Sequence, residues 1–326
     1  MTGGPEREVA TAALRWTAAR RDDFALPPDI LAPDTDVNRT LKPLGELAQL
    51  SGSILRHTAP DDERHRLARE SVDWAWEQTA RGALFADLLR CEPFATYPLE
   101  IYAAFAAVGL CHPRVQDFCA TMTRTRGWRL LEQPPNRRLG VLNCEARTGF
   151  VPHDAAPVVL RRTWLGGLPE PWTFEHASGY ALTHTVFHLT DWGRAPQRVP
   201  PDLARYLTVW LPAWLDGCLE QEQWDLACEL LAVAASVPGP GPRDASRAAW
   251  ERIAAVQRPD GAVPEAGATA PAMADGRTFW NCYHSTLVAA FAATLATFRL
   301  AECAPPAAGG GSRPVPAGGD TIGEPV

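Results

Sequence analysis

Residues 41–57, Leu-Lys-Pro-Leu-Gly-Glu-Leu-Ala-Gln-Leu-Ser-Gly-Ser-Ile-Leu-Arg-His, place Leu44, Leu47, Leu50, Ile54 and Leu55 three, four or one position apart. That spacing follows the helical period and predicts a helix with one apolar stripe. The same pattern recurs on either side. Residues 9–21 carry Ala10, Ala13, Leu14 and Ala18 on one stripe. Asp61, Asp62 and Glu63 put acid where the positive end of the next helix dipole should lie, and that helix is expected to run through Trp74 and Trp76 towards Leu89. Further helices are expected at 97–107, 112–126, 157–164, 177–192, 201–220, 223–237, 243–257 and 282–303. Breakers such as Pro27-Pro28, Pro134-Pro135 and Pro196 separate them, and only 139–143 and 158–160 carry any strand character. The expected fold is all-α, with roughly ten to twelve helices in a closed ring of helix pairs or, alternatively, an open array of hairpins. Residues 1–303 are expected to form one helical domain, with 304–326 a disordered Pro- and Gly-rich tail.

The chain has 326 residues, of which 46% are hydrophobic and 12 are tryptophan, enough for a large core. A net charge of -7 without any block of Lys or Arg argues against a nucleic-acid partner. No run approaches the ~18 apolar residues of a membrane span, and residues 1–8 lack the apolar stretch of a secretory signal. The eight cysteines show no C-x-x-C spacing and are expected to be reduced thiols in a cytoplasmic protein. Gly-x-Gly-x-x-Gly, Walker and Gly-x-Ser-x-Gly motifs are absent, which leaves nucleotide chemistry and serine hydrolysis unsupported.

Two segments carry candidate chemistry. In 183–193, Thr-His-Thr-Val-Phe-His-Leu-Thr-Asp-Trp-Gly, the spacing of His184, His188 and Asp191 puts three polar side chains on one helical face, with Gly193 as the expected stop. In 281–286, Asn-Cys-Tyr-His-Ser-Thr, Cys282 and His284 are about 200° apart on a continuous helix. They can share an ion only if Cys282 lies just outside it. Imidazole, thiolate and carboxylate are zinc ligands, so His184, Cys282 and His284 become candidate metal ligands. Asp191 is then a fourth ligand or a residue orienting His184, and His188 a general acid or base. The same residues also suit a polar groove without metal, with Asp191 capping its helix end or pairing with an Arg and Cys282 as a buried thiol beside a groove-facing His284. His153, in a loop, is expected to be exposed.

The run Gln257-x-x-Asp260-Gly261-x-x-Pro264, followed by Cys282-Tyr283-His284-Ser285-Thr286-Leu287, resembles the α/α-toroid proteins: protein prenyltransferase β-subunits, terpene-cyclase-like barrels and lanthionine cyclases. There a Gln-x-x-Asp-Gly turn joins outer to inner helices, and His284 matches a zinc-binding histidine. The prenyltransferase Asp-x-Cys ligand pair and the Asp-rich motifs of terpene cyclases have no counterpart in this chain. Residues 180–193 also resemble an uncharacterised family of helical actinobacterial proteins, some linked to peptide natural-product clusters. The resemblances imply a zinc-dependent tailoring enzyme of natural-product biosynthesis. It would activate a thiol for thioether formation or cyclisation on a peptide or small-molecule substrate, alongside other enzymes of its pathway. A metal-free helical binding or scaffold protein and a metal-free terpene-cyclase-like enzyme are the alternatives.

Overall fold

The structure is a computed structural model that describes residues 4–239, 243–267 and 277–302. In chain order its helices are α1 (Pro5–Ala19), α2 (Leu41–Arg56), α3 (Glu63–Gln78), α4 (Ala83–Cys91), α5 (Tyr97–Ala106), α6 (Pro113–Met122), α7 (Arg126–Arg129) and α8 (Pro135–Arg147). They continue with α9 (Ala156–Leu160), α10 (His176–Thr190), α11 (Pro201–Glu220), α12 (Trp224–Ser236), α13 (Arg243–Val256), α14 (Arg277–Trp280) and α15 (Tyr283–Glu302). No strand occurs among the described residues, so the protein is all-α. None of the described helices is long and apolar enough to cross a membrane.

Six helices contact one another in a closed cycle: α2 packs on α5, α5 on α8, α8 on α10, α10 on α12, α12 on α15, and α15 again on α2. The longer remaining helices flank this ring. α1 lies against α15, α3 and α13, α11 against α12 and α13, and α9 against α8. Ring and flanking helices alternate along much of the chain, as hairpins of helices require. Two ring helices are enclosed on nearly every side: Leu226, Leu230, Leu231 and Val233 of α12 and Leu287, Val288 and Phe291 of α15 are all buried. An apolar surface all round is the mark of a helix enclosed by others.

Local chemistry explains most helix starts. Proline stands in the first turn of α5, α6, α8, α9 and α11, where a missing N–H costs nothing. The Asp62 carboxylate caps α3 by accepting from Arg64 N at 2.9 Å. Glu175 and Ser178 form a capping box at the start of α10.

Several expectations are corrected. Residues 139–143 and 158–160 lie inside α8 and α9 and are helical. Gly140 sits where α8 meets α10: a Cβ there would come within 3.0 Å of the His188 ring. The glycine therefore serves close helix packing in place of a strand or turn. The long helix expected from 61 to 89 is two, because Ala80, Arg81 and Gly82 all adopt positive φ (49°, 53° and 90°). At Gly82 an added Cβ would come within 2.5 Å of Trp76, so only glycine turns the chain there without displacing that ring. The expected tail, 304–326, lies outside the described residues.

The Gln257–Gly261 turn is built as a clamp. Gln257 Nε2 donates to Val9 O (3.1 Å) and Gly261 O (2.9 Å), tying the end of α13 to α1. Gly261 has φ +97°, and a Cβ would lie 2.2 Å from Ala12 O. Beyond it, Ser285 Oγ donates to Val263 O at 2.6 Å, and Val263 N donates to Thr286 Oγ1 at 2.9 Å. The Ser-Thr pair after His284 thus fixes the first turn of α15 in place.

Candidate metal centre

A cavity of about 290 Å³ opens at the ring's centre, lined in part by Glu46 (α2), Glu100 (α5), Arg137 (α8), His184 and His188 (α10), Glu229 (α12) and His284 (α15). Most of these residues lie in the N-terminal halves of their helices. The opposite end of the ring gathers Arg56, Ala107, Gly193 and Phe298, from the C-terminal ends of α2, α5, α10 and α15. These four helices therefore run parallel. The cavity residues Glu46, Glu100 and His284 lie in the N-terminal halves of α2, α5 and α15, so the positive dipole ends of these three lie towards it and favour carboxylates there, whereas α10 lines it with its C-terminal half.

The most unusual side chains are Asp225 and Glu229, one turn apart on α12 and 3% and 1% exposed. Buried carboxylates need partners. Each has one oxygen held by α10: the Tyr180 hydroxyl donates to Asp225 Oδ2, and the Thr183 hydroxyl to Glu229 Oε2. The other oxygens turn towards His284. That imidazole donates from Nδ1 to Glu46 Oε2 at 3.1 Å, which aims Nε2 at the α12 pair. Nε2 lies 3.6 Å from Asp225 Oδ1 and 3.5 Å from Glu229 Oε1. His184 Nε2 approaches Glu229 Oε1 from the other side at 3.7 Å.

At 3.5 to 3.7 Å these contacts are longer than ordinary hydrogen bonds. Asp225 Oδ1 is buried without any hydrogen-bond partner. One ligand atom each from Asp225, Glu229 and His284 lies within 4.8 Å of the other two. Bonds of about 2.0–2.2 Å to a tetrahedral ion set neighbouring ligand atoms roughly 3.4 Å apart, close to the spacing seen. Glu46, Tyr180 and Thr183 orient the three side chains in the way outer groups hold metal ligands.

The electrostatics follow from crowding. Burial pushes the Asp225 carboxyl up to about 6, with His284 pulling the other way and Glu229 adding to the rise. Burial also opposes ionisation of Glu229, but hydrogen bonding and charge from His184 and His284 outweigh it and hold the group at about 2. For His284 burial disfavours the charged form, yet Glu46 and Asp225 raise its pKa well above the ordinary value. Burial, reinforced by His184, Arg137 and Arg147, lowers His188 to about 3, so its ring stays neutral.

Of the residues singled out in the sequence, the structure brings His184 and His284 to the same carboxylate, Glu229, and places His188 on the same cavity wall. Cys282 does precede α15 directly, but its thiol is buried outside the cavity lining. Burial raises its pKa, with Arg258 alongside pulling it down. Asp191 lies beyond the end of α10 at φ +52°, turned towards Arg147 (3.3 Å) and Arg194 (3.4 Å). The left-handed turn starts at Asp191 and Trp192, before Gly193, and stacks Trp192 on Phe187 at 5.0 Å. Asp225, Glu229 and Glu46 were missed. The signal for the first two was present: two acids one turn apart in the otherwise apolar Trp224-Asp225-Leu226-Ala227-Cys228-Glu229-Leu230-Leu231.

No curated protein and no solved structure matches the chain. Residues 10–294 match the family described as Domain of unknown function (DUF6895), and the chain belongs to that family.

Proposed function

We propose that the protein is a zinc-dependent enzyme, with Asp225, Glu229 and His284 as metal ligands and His184 flanking them at the cavity. The observation that carries this reading is the pattern of used and unused atoms. Each of the three side chains has one polar atom held by hydrogen bonding, while Oδ1, Oε1 and Nε2 are left to converge. Nitrogen and carboxylate oxygen are zinc donors. Two of the three, Glu229 and His284, line the cavity, so an ion held there would have room for a water or substrate heteroatom, whose pKa it would lower. Thiol activation for thioether formation, implied by the toroid resemblance, is one chemistry of this kind. Peptide tailoring would then present a single side chain to the cavity.

Cys282 has no part in this set, because its thiol is turned to Arg258. His188, held neutral, can accept a proton or donate an N–H but carries no acidic proton near neutral pH. Asp191 acts on Arg147 and not on the metal cluster. Metal analysis of the purified protein tests the proposal. One equivalent of zinc is expected in the wild type and in Cys282→Ala, and none in Asp225→Asn combined with Glu229→Gln. A wild-type protein that takes up no zinc would instead be a metal-free binding ring.

A further inference from the structure

The cavity lined by Glu229 and His284 also reaches Arg147, whose side chain is only 5% exposed. Its donors are poorly met. Nη1 donates to Gln49 Oε1 at 2.5 Å. Nε has no hydrogen-bond acceptor although Asp191 Oδ1 is 3.3 Å away, and Asp191 is shared with the exposed Arg194. A buried guanidinium with an unmet N–H loses the water it gave up and gains little in return. Its planar fork matches a carboxylate.

Part of the same cavity's wall is aromatic. Phe187, Trp192 and Phe291 line the cavity and pack ring against ring at 5.0 to 5.8 Å. A volume of about 290 Å³ limits the occupant to a small molecule or one side chain.

We infer that the cavity binds a small organic carboxylate, its anionic head on Arg147 and an aromatic or branched-alkyl body against Phe187, Trp192 and Phe291. This rests on the proposed function in taking the cavity as the substrate site, and it assigns that site its substrate class. The metal end then faces the part of the molecule away from its carboxylate.

Isothermal titration with 3-phenylpropionate and its neutral counterpart 3-phenylpropanol tests the inference, on wild type as purified and after removal of metal with a chelator. The metal-free arm excludes direct binding of the carboxylate to zinc. The acid is expected to bind at least about tenfold more tightly than the alcohol in both arms, the margin of a charge-assisted pair. Arg147→Gln should erase the difference, and Arg147→Lys should keep part of it. Equal binding of acid and alcohol, an acid preference seen only with zinc present, binding of neither, or equal binding of inorganic phosphate would each overturn it. Should the variants fail to fold, the wild-type comparison still decides. Absence of zinc in the purified protein, with the acid preference intact, would sink the metal reading alone.

Discussion

Two buried glutamates, Glu145 and Glu229, each meet a histidine in this molecule, and the two pairs differ in what is left over. Glu145 of α8 accepts from Trp128 Nε1 (2.7 Å), His153 Nδ1 (2.7 Å) and His153 N (3.1 Å), so both oxygens are engaged. His153 Nε2 in turn meets the Arg138 guanidinium. His153, expected to be exposed, has a side chain only 2% accessible. Nothing in that network is unspent. Glu229 Oε1 and His284 Nε2 approach each other only to 3.5 Å, and Asp225 Oδ1 beside them has no hydrogen-bond partner. A polar cluster that satisfies itself stabilises a fold, whereas one that stops short asks for a ligand.

Mutation should separate the two pairs. Glu145→Ala leaves a buried imidazole and indole N–H unmatched and should cost about 3–5 kcal/mol in denaturant unfolding, with zinc content unchanged. Loss of zinc in that variant while it remains folded would erase the distinction. Asp225→Asn removes a ligand from a crowded acidic site. Its zinc affinity should fall on the order of 100-fold or more in competition titrations, while the metal-free protein unfolds at no lower denaturant concentration. An affinity that stays at wild-type level would remove Asp225 from the ligand set. Tyr180→Phe and Glu46→Gln act through orientation alone, and each should weaken zinc by roughly 10–100-fold without abolishing it.

The smallest effect concerns His188. Its folded pKa of about 3 lies below the ordinary 6.5, so the unfolded chain takes up a proton that the folded protein refuses until much lower pH. The stability tied to its neutral ring is therefore full above about 6.5 and declines as pH falls towards 3. NMR titration should find the His188 ring unprotonated at pH 5. A midpoint near 6.5 would show that the ring is neither buried nor flanked by Arg137 and Arg147 as described.

The fold was largely legible because helical period and proline placement act locally. The stripe through Leu44, Leu47, Leu50 and Ile54 and the prolines opening α8 and α11 need no tertiary information. The errors arose where tertiary contact decides: Gly140 reads as a strand or turn residue until His188 is seen packed on it, and the left-handed turn at Ala80–Gly82 has no proline to announce it. Within the site, His184 and His284 stood out by residue type. Asp225 and Glu229 did not, since an acid one turn from another acid looks like a solvated face unless the helix is known to be enclosed. Cys282, two positions before His284, lies outside the cavity lining, as the ~200° between such positions leads one to expect.

Asp225, Glu229 and His284 are proposed to share one zinc ion. Crystals of the purified protein, measured on either side of the zinc absorption edge, test it most directly. The account predicts one anomalous peak about 2.0–2.2 Å from Asp225 Oδ1, Glu229 Oε1 and His284 Nε2. A map with no peak there after zinc soaking, and with His284 hydrogen-bonded directly to Glu229, would contradict it.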